Sequence, residues 1–332
     1  MRHLLGRMKS MIKTVLIAAA PKQTLKSENT VFINSRSWKL FREETYAELL
    51  KNTDLHIAAG DIKLVRKQDL GRIAAYIGVI DPSLLKHMRS LQWLQIASHG
   101  YNGFDNGALY ANRDVTVTNL TDVFSKPMAE YCVAAYHYFN CYALRNMSSG
   151  SVPLQSTAHP DCPNVLILGA GNIGSKIAEL CKKQGWQVCG VKRTVPAELP
   201  DCFDRLVRTE QLFDVLPQAD YVINILPETA QTVGICNKTF FDAMKQTAVF
   251  CNVGRGSAVV DKDLQSAVQS GSIRGAILDA GSGKTYRSAN IVSTHHMSSV
   301  SAENDAALDR FYSAQLTAFL QREPLKNRMT LT

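Results

Sequence analysis

The chain has 332 residues, 45% hydrophobic and 20% charged, with a formal net charge of +8. That balance is globular and long enough for two domains, and no apolar run reaches the ~18 residues a membrane span needs. The basic residues are scattered rather than run together, which favours small anionic ligands and argues against nucleic acid or membrane as partners.

The first stretch, "MRHLLGRMKSMIKTVLIAAAPK", is basic and then apolar, with no acidic residue before Glu28. Its apolar part, Val15 to Ala20, is shorter than a secretory core and is closed by Pro21. A first β-strand is the simpler reading, and a targeting segment the alternative. From there to about residue 118, strand-like runs alternate with helical ones. "TVLIAAA" (14–20), "TVFINS" (30–35), "DLHIAAG" (54–60), "AAYIGVI" (74–80), "LQWLQIAS" (91–98) and "VTVTNL" (115–120) read as strands. Residues 38–52 and 81–91 read as helices, the second opened by Asp81 as N-cap and Pro82 behind it. This alternation predicts a parallel α/β sheet.

Residues 126–147 form a long, mostly apolar helical segment, followed by a polar, proline-bearing loop over 148–163. A second α/β series then begins, with strands at 221–226, 248–253, 275–280 and 290–294. The last 30 or so residues read as helix followed by a polar tail. The eight cysteines (132, 141, 162, 181, 189, 202, 236, 251) show no CxxC pair and no metal-ligand spacing. They predict reduced, mostly buried thiols in a cytoplasmic protein, and no metal site.

The second series opens with "NVLILGAGNIGSKIAELCKKQGWQVCGV". Gly169, Gly171 and Gly174 form GxGxxG between an apolar strand and a helix, and a second strand closes the unit. That context is what a dinucleotide site requires. Gly169 makes the turn, Gly171 admits the pyrophosphate, and Gly174 lets helix and strand pack closely. The amides of Asn172 and Ile173 open the helix toward the phosphates. The second strand ends in Lys192, Arg193 and Thr194, where a site for NAD usually carries Asp or Glu. Two cations and a hydroxyl suit a ribose 2′-phosphate, so NADP(H) is expected over NAD(H). "GSGKT" at 281–285 is not a P-loop, because Leu278 stands where the first glycine belongs.

Downstream, a strand ends in "NVGRG", which puts Arg255 at the ligand-binding rim of the sheet, able to clamp a carboxylate. Another ends at His295 and His296 on the same rim. With "WLQIASHGYNGFD", "FSKPMAEYCVA", "LPETAQTVGI" and "ILDA" in order, residues from about 54 to 304 resemble the D-isomer-specific 2-hydroxyacid dehydrogenases, which include glyoxylate/hydroxypyruvate reductases.

The resemblance implies two Rossmann-like or flavodoxin-like α/β domains with parallel sheets. The substrate domain is discontinuous, residues 1–125 plus 300–332, and the cofactor domain spans 126–299. It implies a homodimer and NADPH-dependent reduction of a small anionic 2-keto acid to the D-2-hydroxy acid. Arg255 would hold the substrate carboxylate and polarise the keto oxygen, and His296 would donate the proton. His99, Gly100 and Tyr101 would shape and cradle the substrate. Leu226, Pro227, Thr232, Val253 and Asp279 would line the cofactor.

One family feature is missing. The Glu that usually follows the strand ending at Asp279, and hydrogen-bonds the catalytic His, has no counterpart. No Asp, Glu or Gln lies between Asp279 and His296, and Lys284 stands about where the Glu belongs. Three readings stay open. A distant carboxylate, Glu303 or Glu130, substitutes; the histidine works unassisted, with a lower pH optimum; or turnover is lost, leaving a non-catalytic NADP(H)-binding regulatory protein.

Overall fold

The computed structural model describes residues 25, 30–34, 37, 56–100, 103–121, 123–141, 160, 162–281, 286, 288, 290–301 and 304–332. The expected strand at 14–20 and helix at 38–52 lie outside the described residues, as do 142–147 at the end of the long helical segment. The chain divides into two compact units, residues 1–123 with 302–332, and residues 124–301.

The first unit holds a five-stranded sheet of β1 (Thr30–Asn34), β2 (His56–Gly60), β3 (Ile73–Gly78), β4 (Trp93–Ile96) and β5 (Thr116–Thr118). All neighbours are parallel, in the order β2-β1-β3-β4-β5. This is the doubly wound order of flavodoxin-like sheets. The central strands β3 and β4 are buried on both faces, as parallel strands are.

Residues 81–91 do not form the expected α-helix. Asp81 caps the segment by accepting from the Ser83 amide at 2.9 Å, but only a 3-10 turn, Pro82–His87, follows. Leu85 within that turn, and Met88 and Leu91 just beyond it, are all buried.

The C-terminal helix returns to this unit. It packs Phe319 on Trp93, ring centroids 5.2 Å apart, and Gln315 reaches Gln95. The polar tail beyond it is ordered. It lies antiparallel against β5, with the Met329 amide donating to Val117 O and the Asn119 amide to Asn327 O. The tail thereby covers a sheet edge that would otherwise be open.

The second unit opens with α1 (Ser125–Asn140), then β6 (Asn164–Leu168), α2 (Asn172–Lys183), β7 (Gln187–Lys192) and β8 (Arg205–Arg208). There follow α3 (Leu212–Val215), β9 (Tyr221–Asn224), α4 (Lys238–Asp242), β10 (Val249–Asn252), α5 (Asp261–Gln269), β11 (Gly275–Leu278) and β12 (Ile291–Ser293). The helix of the first unit's return, Asn304–Gln321, is α6. The seven strands are parallel, in the order β12-β11-β10-β9-β6-β7-β8. Counted from β6, that is the 3-2-1-4-5-6 winding of dinucleotide-binding folds, extended by one strand.

Alternate side chains feed two cores. Val165 and Ile167 pack with Ile173 and Ile177 of α2 on one face, while Leu166 and Leu168 pack with Phe240 and Phe250 on the other. β8 was not foreseen: two apolar residues between arginines give too short a run to read. All eight cysteines are free; Cys132, Cys181, Cys236 and Cys251 are buried, but Cys162 is exposed and the rest are half-buried. The expected burial therefore holds for half of them. Among the described residues no helix is long and apolar enough to cross a membrane, and no His, Cys, Asp or Glu cluster suits a metal ion.

Candidate active site

The glycine-rich turn after β6 gives each glycine a different task. Gly169 has φ +107°, a conformation that favours glycine. At Gly174 a Cβ would lie 2.2 Å from the carbonyl oxygen of Gly169, so any side chain would push α2 off the turn. Gly171 is the N-cap of α2, makes no side-chain cap, and a Cβ there would meet nothing within 4 Å. The uncapped amides of the first turn therefore open onto free space, which is where a helix N-terminus takes an anion.

Ile173 can offer only its backbone to such a ligand, and the Asn172 side-chain oxygen is already engaged. The Asn172 Oδ1 accepts from Ser125 Oγ at 2.6 Å, and the Ile173 side chain is buried in the core. The end of β7 lies against the same turn, because Val191 O accepts from the amides of both Gly169 and Ala170, each at 3.0 Å. Beyond it Lys192 is half-buried, and Arg193 and Thr194 are exposed. An open amide-lined turn at the start of a helix fits the pyrophosphate of a dinucleotide.

At the ends of β9 and β10, Asn224 and Asn252 are fully buried. Asn224 Nδ2 donates to Asn252 Oδ1 at 2.8 Å, and Asn252 Nδ2 in turn donates to the carbonyls of Arg255 and Ala280. This amide pair, not foreseen from sequence, sets the crest from which the functional loops leave. Beyond β9, Thr232 Oγ1 donates to Pro227 O at 2.6 Å and accepts from the Thr229 amide at 2.8 Å, fixing the loop that carries Leu226 and Pro227. Val253 is buried. Arg255 follows in extended conformation, half-buried, and Nη1 donates to Gly254 O at 2.9 Å. Among the described residues no carboxylate forms an ion pair with it.

Asp279, buried at the end of β11, organises the histidines. Its amide donates to Asn252 O, and its carbonyl accepts from the His296 amide at 2.8 Å. Its Oδ1 alone accepts from Thr294 Oγ1 at 2.7 Å, from the Met297 amide at 2.6 Å and from the Ser298 amide at 3.0 Å. Tyr131 of α1 meets Thr294 Oγ1 at 2.7 Å. Between these anchors His295 and His296 take φ of +54° and +64°, both left-handed, and both are exposed. Two successive left-handed non-glycine residues are held only where the surroundings dictate them.

Among the described residues no carboxylate is ion-paired with His296. Glu130 is ion-paired with Lys126 at 3.8 Å. Glu303 and Lys284 lie outside the described residues. In the first unit, the loop after β4 is tied by Asn119 Nδ2 donating to His99 O at 2.9 Å and Ser98 Oγ to Gly100 O at 2.6 Å. Tyr101 lies outside the described residues.

Residues 145–300 match the family model of the "D-isomer specific 2-hydroxyacid dehydrogenase, NAD binding domain". Human glyoxylate reductase/hydroxypyruvate reductase is 32% identical over 174 residues, 50% of this chain and 52% of that protein. Glyoxylate/hydroxypyruvate reductase A of Salmonella newport (strain SL254) is 31% identical over 214 residues, 61% of this chain and 67% of that protein. The match thus spans about half the length of the human relative and two thirds of the bacterial one.

Among solved structures, an NADPH-dependent glyoxylate/hydroxypyruvate reductase from Sinorhizobium meliloti, in complex with NADP and sulfate, superposes with a TM-score of 0.71 at 21% identity. The superposition covers 91% of this chain and 98% of that one. Rhodotorula graminis D-mandelate dehydrogenase gives 0.77 at 17% identity, over 91% and 97%. At these identities the structures establish the fold.

Proposed function

The chain belongs to the D-isomer-specific 2-hydroxyacid dehydrogenases, and from that premise we propose that it reduces a small 2-keto acid to the D-2-hydroxy acid with NADPH. The observation that carries this reading is the role of Asp279 between two reactive groups. Its amide is bonded to the end of β10, just before Arg255, and its carboxylate holds the turn of His296. A carboxylate clamp and a proton donor are thus fixed to one buried residue.

The amides at Gly171 to Ile173, with Gly169 and Gly174 shaping the turn, would hold the pyrophosphate. Lys192, Arg193 and Thr194 would hold a ribose phosphate. Leu226, Pro227, Thr232 and Val253 would line the rest of the cofactor, and Asp279 Oδ2, which shares none of the three bonds to Oδ1, would take the carboxamide. When bound, the reduced nicotinamide supplies the hydride. Arg255 pairs its planar fork with the substrate carboxylate and polarises the keto oxygen. His296 delivers a proton to that oxygen as the alcohol forms. His99, Gly100 and Tyr101 cradle the carboxylate. The same reading makes the protein a cytoplasmic homodimer acting on small anions.

A second reading, a non-catalytic NADP(H)-binding regulatory protein, draws on one observation: among the described residues no carboxylate pairs with His296. One panel separates them, following NADPH and NADH oxidation with glyoxylate, hydroxypyruvate, pyruvate and phenylpyruvate. Turnover with one of these, lost in Arg255→Lys, is expected. Tight NADPH binding with no turnover on any substrate would give the second reading the field.

A further inference from the structure

At the ligand-side ends of β7 and β8, two cations stand directly opposite one another. The parallel register pairs Gly190 with Leu206, Val191 with Val207, and Lys192 with Arg208. Val191 and Val207 are buried together in the core on one face of the sheet. By strand alternation, Lys192 and Arg208 both project from the other face.

That face carries the glycine-rich turn. A Cβ on Gly190, one pair earlier on the same face, would lie 2.6 Å from Leu206 Cδ2 and 2.9 Å from Ala170 Cβ. Lys192 and Arg208 are therefore the next pair along the surface that adjoins Ala170, and Arg193 follows at once. Like charges directly opposite each other destabilise a sheet. The ion pairs formed nearby by the described residues use Lys176 with Glu179 and Lys182 with Asp204, not these three cations.

We propose that Arg208 is a specificity-determining residue of the cofactor site, completing with Lys192 and Arg193 a three-cation seat for a phosphate monoester on the adenosine ribose. The inference rests on the reading that the glycine-rich turn binds an NADP-type dinucleotide. The repulsion between Lys192 and Arg208 is relieved when a phosphate bearing nearly two charges sits between them, so a cost of the free protein becomes discrimination in the complex. The guanidinium adds a planar fork that an ammonium lacks.

The test is a fluorescence titration of the full chain with NADPH and NADH, with 2′-AMP and 5′-AMP as competitors, on the parent, Arg208→Gln and Arg193→Gln. Arg208→Gln should weaken NADPH and 2′-AMP by about tenfold, the size of one charge-assisted contact, and leave NADH and 5′-AMP within about twofold. The melting temperature of the cofactor-free variant should not fall, because the substitution removes a repulsion. If the parent favours NADPH and Arg208→Gln keeps the full preference, the assignment of Arg208 is overturned while the cofactor reading stands. A parent that binds NADPH and NADH equally overturns the cofactor reading, and the three-cation seat with it.

Discussion

The Asp279 carboxylate and the Thr294 hydroxyl lie 2.7 Å apart, and their bond joins the end of β11 to the histidine turn. Together with the Met297 and Ser298 amides, it places three donors on one oxygen. Two left-handed non-glycine residues cost roughly 1–2 kcal/mol each. Three bonds to an ionised acceptor contribute about 1.5–3 kcal/mol apiece, which outweighs that strain. Asp279→Ala would strand two backbone amides and should lower stability by about 2–4 kcal/mol in urea denaturation. An unchanged midpoint would mean that the turn is held by something else.

Tyr131 extends this chain outward. The Thr294 hydroxyl has one hydrogen, and a carboxylate only accepts, so the bond between Tyr131 and Thr294 must be donated by the phenol. Burial raises the Tyr131 phenol above its ordinary range, which keeps that proton in place. A double-mutant cycle with Tyr131→Phe and Thr294→Val should therefore show a coupling of about 0.5–1.5 kcal/mol. Additive effects would refute the relay.

Local signals carried most of what the chain disclosed about itself. The glycines announced their turn because their spacing between a strand and a helix is read from a few residues of context, and the buried strands announced themselves by their apolar runs. What stayed hidden depends on partners far along the chain. Thr294 looks like any strand-end threonine until Asp279 is placed fifteen residues before it. Arg208 means little until the register sets it against Lys192. The buried amides of Asn224 and Asn252 gain their role only when β9 and β10 pair. The missing acid was legible as an absence, and Glu130, one candidate to replace it, lies 3.8 Å from Lys126 on an exposed face.

The three glycines should separate experimentally. Gly174→Ala forces a Cβ against the Gly169 carbonyl and should cost about 1–3 kcal/mol or more in the cofactor-free protein. Gly171→Ala meets open space and replaces a tolerable N-cap by a poorer one, so it should cost less than about 1 kcal/mol. Its effect should fall on NADPH affinity, through crowding of the pyrophosphate. Equal losses of stability in the two variants would contradict this division.

Asp204 gives a pH-dependent term unrelated to catalysis. Its carboxylate accepts from Lys182 Nζ at 2.6 Å and from the Val188 amide at 2.7 Å. The Lys182 bond first, then the amide, hold its pKa below the usual carboxylate value. A depressed folded-state pKa gives stability that is present above the unfolded value and lost as pH falls through the folded one. Asp204→Asn should thus cost about 0.5–1.5 kcal/mol at pH 7, and progressively less as the solution is acidified below pH 4. A difference that stayed constant down to pH 2 would argue against the ionic origin.

His295 and His296 share exposure and backbone conformation, yet only His296 is assigned the proton. Asparagine is the informative replacement at both, because it tolerates the left-handed region and cannot titrate near neutrality. Reduction consumes a proton, and only the protonated ring can give one, so kcat/KM with NADPH should fall as pH rises and the ring empties. His296→Asn should lower kcat/KM by about 10²–10⁴-fold at the low-pH plateau and flatten that limb. His295→Asn should keep both plateau and limb, while matching the other variant in urea stability. If His296→Asn retains the falling limb, the proton comes from another group. If both variants lose activity alike while both still bind NADPH, the turn itself, rather than one imidazole, is what the reaction requires.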